Sequence, residues 1–299
     1  MRILLLGCKG QVGWELQRSL APLGELLACD FDTPGDLKAD FSDPEALAAL
    51  VRRVQPQIIV NSAAHTAVDK AESEPDFART LNATAPGVLA REAAALGALL
   101  VHYSTDYVFD GSGSERRGED APTGPLSVYG RTKLEGEQLI RASGCRHLIL
   151  RTSWVYAARG GNFARTMLKL AAERDSLKVI SDQVGAPTGA ELLADVTAHA
   201  VRRVLAEPAL AGLYHCVAGG ETNWFEYARF VIEWARAHGQ PVRVAPDAIH
   251  SIPTSDYPTP AARPLNSRLA THRLQQAFGL TLPHWQVGVE RMLTEVLGR

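Results

Sequence analysis

The sequence predicts an α/β fold: a Rossmann-like, doubly wound parallel sheet with a smaller, intertwined C-terminal α/β substrate domain. Three observations carry the prediction. Short apolar runs alternate with helical patterns through the first half, the first run passes directly into a glycine-rich turn that opens a helix, and no linker separates the two halves. Strands alternating with helices at this spacing need right-handed crossovers, which give a parallel sheet covered on both faces. With 299 residues, 46% of them hydrophobic, the chain can bury a core of that kind.

Arg2–Leu6 reads as the first strand and Gln11–Leu20 as the first helix, followed by a strand over Glu25–Cys29. Ser42-Asp43-Pro44-Glu45 opens the next helix, which reaches Val54; Ser42 is the expected cap, Pro44 suits the first turn and Glu45 can reach back to the cap. Gln57–Asn61 reads as a strand ending in the small, polar Asn61-Ser62-Ala63-Ala64. Ala78–Leu96 is helical, Ala98–Tyr103 a strand, Val128–Arg141 a helix and His147–Thr152 a strand. Beyond it the pattern loosens. Asn162–Arg174, Ala190–Leu205 and Trp224–His238 look helical, and Leu177–Ser181 and Gly212–Val217 look like short strands. Pro253, Pro258, Pro260 and Pro264 exclude a regular helix over Ser251–Pro264, and Glu290–Leu297 closes with one. An NAD(P)-binding domain is thus expected over residues 1–151. A mainly substrate-binding domain is expected over 152–299, with segments returning to the first.

Composition narrows the function. The formal net charge is −2 with 21% charged residues, so a nucleic-acid partner is not expected. No apolar run approaches the ~20 residues of a membrane helix, so no membrane partner is expected either. The opening MRILLLG stops being apolar after Leu6, too soon for a signal peptide. Cys8, Cys29, Cys145 and Cys216 are scattered without a CxxC or Cys/His cluster, which argues against zinc and disulfides and fits a cytoplasmic location.

Ligands of such sheets bind beyond the carboxyl ends of the strands. There, Gly7-Cys8-Lys9-Gly10-Gln11-Val12-Gly13 has the spacing GxxGxxG. Glycines allow a tight turn and close backbone approach to a pyrophosphate, and the helix N-terminus favours its charge. Asp30, after the second strand, is placed to take adenosine ribose hydroxyls. An acid there repels a 2′-phosphate and favours NADH, although Lys9 or Lys38 could compensate. Tyr129-Gly130-Arg131-Thr132-Lys133 is YxxxK, which on a helix puts Lys133 on the face of Tyr129. A cationic neighbour is expected to lower the phenol pKa and poise it to give a proton to a carbonyl oxygen as hydride arrives at carbon. Thr105, at a strand end upstream, would hold that oxygen.

These residues, with NSAAHTAVDKAE, YSTDYVFDG, VYGRTKLEGE, RTSWVY, DQVGAPTGAELLAD and TSDYPTPAARPLNS, resemble the extended short-chain dehydrogenase/reductases over almost the whole chain. Within them the resemblance narrows to the branch that reduces dTDP-4-dehydro-L-rhamnose. It implies hydride transfer from NADPH or NADH to the 4-keto group of that nucleotide sugar, for cell-surface polysaccharide synthesis. Carried over, Thr105, Tyr129 and Lys133 form the catalytic set. Gln11, Val12, Asp30, Asp40, Phe41, Ala63, Ala64 and Thr66 line the cofactor, and Asp106 and Trp154 meet the sugar. The resemblance also implies a homodimer bridged by Mg2+ on Glu15, Glu191 and Glu295, which otherwise read as surface glutamates. Cys8-Lys9 and Ser62 depart from the usual lysine-threonine and alanine. Trp154 could cover the apolar face of a deoxysugar or simply pack between domains. Arg263 is a candidate for the diphosphate and equally for a surface arginine. A dehydratase of the same fold typically has Asp-Glu after the threonine, whereas Asp106 is followed by Tyr107. An epimerase, or a regulatory subunit without turnover, are the remaining alternatives.

Overall fold

The computed structural model describes residues 1–298. The first half runs β1 (Arg2–Leu6), α1 (Gln11–Leu20), β2 (Glu25–Cys29), α2 (Pro44–Val54), β3 (Ile58–Asn61), α3 (Val68–Ser73), α4 (Pro75–Arg79), α5 (Ala85–Leu96), β4 (Leu99–Thr105), α6 (Val128–Ala142) and β5 (Arg146–Thr152). It continues through β6 (Val155–Tyr156), α7 (Phe163–Glu173), β7 (Leu177–Ile180), β8 (Val184–Gly185), β9 (Thr188–Gly189), α8 (Ala190–Ala206) and β10 (Gly212–His215). It ends with β11 (Thr222–Asn223), α9 (Trp224–Ala237), β12 (Ile249–Ile252), α10 (His272–Phe278) and α11 (Trp285–Leu297).

Six strands pair in parallel in the order β10-β5-β4-β3-β1-β2. Every residue of β3 and β4 is buried, as expected of strands covered on both faces. Alternate side chains of each strand feed two cores. Ile3, Leu5, Ile58 and Val60 meet Leu16, Leu193, Val196 and Leu274 of α1, α8 and α10. Leu4, Leu6, Ile59 and Leu100 meet Leu47, Leu50, Leu89 and Ala93 of α2 and α5. A third core gathers Met167, Tyr227, Val231, Trp285, Val289 and Leu293 from α7, α9 and α11. Residues after 152 therefore make a core of their own and also supply β10, α8 and α10 to the sheet. The chain passes from β1 to β2 and back across to β3, so winding reverses between β1 and β3 and opens a ligand crevice at their carboxyl ends.

Several local expectations are corrected. Asp43, not Ser42, caps α2, its carboxylate accepting from the Ala46 amide at 3.0 Å; the Ser42 hydroxyl donates to Asp40 instead. The helix expected over Ala78–Leu96 is broken by a π-helical turn at Thr80–Thr84. There the buried Asn82 amide accepts from the His65 N–H at 2.8 Å and donates to Thr132, tertiary bonds that override the regular helical ladder. The closing helix starts at Trp285 rather than Glu290, capped by His284.

Candidate active site

The crevice is shaped first by missing side chains. Gly7 has φ +80°, and a Cβ there would lie 2.6 Å from the Ala63 nitrogen. A Cβ on Gly13 would lie 2.0 Å from the Gly7 carbonyl oxygen, so the first turn of α1 can pack on the loop only with glycine at both positions. Gly10 is the N-cap of α1 and provides no side-chain cap, leaving first-turn amides to bind an anionic group beside half-buried Gln11 and Val12. Ser62 donates to the Leu6 carbonyl at 2.7 Å and ties the β3 end to this loop. Ala63 and Ala64 are half-buried along the same edge, and Thr66 is exposed.

Beyond β2, the Asp30 carboxylate accepts from the Lys9 amide at 3.0 Å and from the Phe31 amide at 2.9 Å. The two lysines that could offset its charge are engaged elsewhere: Lys9 with Asp32 at 2.5 Å and Lys38 with Asp40 at 3.0 Å. Ser42 and Lys38 hold the Asp40 carboxyl below its usual range, and Phe41 is buried beside it. This donor set fits a dinucleotide: a glycine cradle and free amides for the pyrophosphate, with a carboxylate for the ribose.

The residues expected to be catalytic lie where β4 ends and α6 begins. Ser127 caps α6 by accepting from the Gly130 amide at 3.1 Å, and Glu72 accepts from the Val128 amide at 2.7 Å. A Cβ on Gly130 would lie 2.3 Å from the Tyr107 carbonyl, so glycine lets α6 press against the Thr105–Tyr107 turn. Tyr129 then packs edge-on to Tyr107 at 5.5 Å. Burial pushes the Tyr129 phenol up to about 12, Thr105 beside it pulls the other way, and Asp106 pushes it further. The expectation that Lys133 acidifies Tyr129 is not met in this arrangement. The buried Lys133 amine donates to the Tyr103 carbonyl at 2.6 Å and faces His102 Nε2 at 3.3 Å. Burial moves Lys133 itself down to about 8.

Thr105 donates to Asp106 Oδ1 at 3.0 Å and accepts from the Tyr107 amide at 3.2 Å. Asp106 is 2% exposed; burial lifts its carboxyl to about 6 while the Ser267 and Thr105 hydroxyls nearby pull it back down, and no donor lies within hydrogen-bonding geometry of its Oδ2. An unpaired buried oxygen at a strand end is a place for a hydroxyl donor.

Trp154 follows β5 with φ +50°, a left-handed conformation unusual for a tryptophan. Its ring stacks on Trp224 with centroids 3.7 Å apart, and Trp224 donates to Gln183 at 3.0 Å. Arg263 forms a two-pronged pair with Asp69 of α3, at 3.0 and 2.8 Å, and joins the proline-rich stretch to the first half. Its guanidinium is thus already paired through both terminal nitrogens. Burial pushes the Glu191 carboxyl up; Arg291 pulls it down and Glu15, Glu295 and Asp195 push it up again. Among the described residues no three His, Cys, Asp or Glu side chains converge to hold a metal ion. Sequence reasoning missed Asn61 and His102, behind Lys133, and Trp224. A histidine inside the apolar run Ala98–Tyr103 was the available signal.

A family model described as RmlD substrate binding domain matches residues 1–297. The dTDP-4-dehydrorhamnose reductase of Escherichia coli (strain K12) is 58% identical over 296 residues, covering 99% of this chain and 98% of that protein. Among solved structures, a dTDP-4-dehydrorhamnose reductase from Clostridium acetobutylicum superposes with TM-score 0.89 at 35% identity, covering 100% of both chains. One from Bacillus anthracis, in complex with NADP, gives 0.86 at 32% identity, covering 98% of this chain and 99% of that one.

Proposed function

The chain belongs to the RmlD substrate-binding-domain family, and from that premise we propose that it is an NAD(P)H-dependent reductase that converts dTDP-4-dehydro-L-rhamnose into dTDP-L-rhamnose. The carrying observation is the half-buried Tyr129 phenol, held protonated beside Thr105 and Asp106.

The nicotinamide cofactor, when bound, supplies the hydride. Gly7, Gly10, Gln11, Val12 and Gly13 would cradle its pyrophosphate, Asp30 would take the adenosine ribose, and Asp40, Phe41, Ala63, Ala64 and Thr66 would form the walls. Tyr129, kept protonated by burial, gives its proton to the keto oxygen. The Thr105 proton turns from Asp106 to that oxygen, and the freed Asp106 accepts from a sugar hydroxyl. Lys133 leaves the Tyr103 carbonyl for the cleft, where its charge favours the phenolate that Tyr129 becomes. Trp154, braced by Trp224, covers the apolar face of the deoxysugar. Arg263 reaches the diphosphate only by giving up Asp69. In Tyr129→Phe, turnover falls by ~10²–10⁴, the usual worth of a positioned proton donor, while cofactor affinity stays. Undiminished turnover would remove Tyr129 from the reaction.

The assembly that goes with this reading is a homodimer in the cytoplasm. Its contact face holds the exposed Trp14 and the mutually repelling Glu15, Glu191 and Glu295, which a magnesium ion shared with a second copy would relieve. The four buried free thiols suit a reducing compartment. Sedimentation with and without magnesium tests the dimer; a monomer under both conditions contradicts it.

A further inference from the structure

Behind Lys133 lies a buried chain of polar groups that the reaction above leaves unused. The Ala63 N–H donates to Asn61 Oδ1 at 3.0 Å, which fixes the amide with Nδ2 toward His102. That nitrogen can only donate, and it lies 3.0 Å from His102 Nδ1, which must accept. Burial, and then the charge of Lys133, hold the His102 ring well below the usual histidine range, so it is neutral. A neutral imidazole that accepts at Nδ1 carries its proton on Nε2. That Nε2–H faces Lys133 Nζ at 3.3 Å. An ammonium has donors only, so a charged Lys133 meets His102 donor to donor. A neutral amine accepts the His102 proton and still donates to Tyr103.

Resting on the reductase reading, we propose that Asn61 and His102 are positioning residues that govern Lys133: His102, held as its Nε2–H tautomer, turns a donor toward the ammonium and destabilises its charge, so that Lys133 gives up its proton at lower pH than it would beside an acceptor. Burial pushes Lys133 the same way, against Glu137 on its own helix. Glu137 is itself bound by Arg151 of β5 and Ser104 of β4. Tyr129 lies one turn earlier on α6, and the Tyr103 phenol is directed away, to Thr197 of α8. Lysine charge, and with it phenolate stabilisation, is therefore lost on going to alkaline pH, and the alkaline limb of kcat/KM reports Lys133.

Two variants of Asn61 test this. Asn61→Asp keeps an oxygen for the Ala63 amide and turns an acceptor toward His102 Nδ1. The ring must then carry its proton there and offer Nε2 to the ammonium. Asn61→Ala releases the tautomer without adding charge. Nitrogen NMR of histidine-labelled protein, with the His102 signals assigned by their loss in His102→Gln, is expected to show Nε2–H in the wild type and Nδ1–H in Asn61→Asp. The alkaline limb is expected to move up by about one pH unit or more in both Asn61 variants, the scale of a neighbouring-group effect. A wild-type ring protonated on Nδ1, or a limb unmoved in Asn61→Ala, overturns the proposal. Failure of the wild type to oxidise NAD(P)H with the keto sugar would count against the reductase reading; the NMR measurement needs no turnover and tests the tautomer regardless.

Discussion

At Gly13 an added Cβ would sit 2.0 Å from a backbone oxygen, while at Trp154 an indole lies flat against a second indole at 3.7 Å. The wall proposed for the cofactor, from β1 into α1, is defined by atoms that are absent and by backbone amides left free. The wall proposed for the sugar is defined by large side chains held against one another, Trp154 on Trp224 and Trp224 beside Phe163 and Tyr227. The first kind of wall tolerates no addition, because backbone cannot move aside; the second loses contact area by degrees as rings are trimmed. The same contrast separates a ligand part read by charge and close approach from one read by shape.

Substitutions in the two walls sharpen that contrast. Gly13→Ala is expected to have the largest effect, beyond the ~1–3 kcal/mol of ordinary overpacking, with saturable NAD(P)H binding lost in a fluorescence titration. Normal binding would show that the α1–loop contact can relax. Trp154→Ala is expected to raise substrate KM by about tenfold or more through lost ring coverage, with cofactor affinity unchanged. Trp224→Ala should raise KM less, since it acts through Trp154. If both leave KM alone, the aromatic stack is packing only. Arg263→Ala is expected to have the smallest effect on KM, because its guanidinium is already committed to Asp69. A KM increase as large as that of Trp154→Ala would show that the arginine leaves Asp69 for the diphosphate.

The contrast also explains what could be read in advance. The strand–glycine loop–helix unit, Asp30 and the YxxxK helix depend on local spacing, and the expected strands of the sheet lie close to their observed ranges. The π-turn at Thr80–Thr84 escaped because its cause, Asn82 bonding to His65 and Thr132, is tertiary. Trp224 was legible as a helix start but not as the partner of Trp154, a contact made between residues on separate elements. The Lys133–Tyr129 pairing was inferred from helical periodicity alone. The lysine instead bonds backward to Tyr103 and His102, groups on a strand whose apolar pattern hid its one histidine. Arg263 was placed by its chemistry, and Asp69 from the other half of the chain claimed it.

The most direct test is to supply the 4-keto nucleotide sugar with NAD(P)H, follow the nicotinamide absorbance and identify the product. The account predicts one equivalent of NAD(P)H oxidised for each keto sugar consumed, with dTDP-L-rhamnose formed. Conversion of the sugar without loss of NAD(P)H, as an epimerase would give, or no conversion at all, would contradict it.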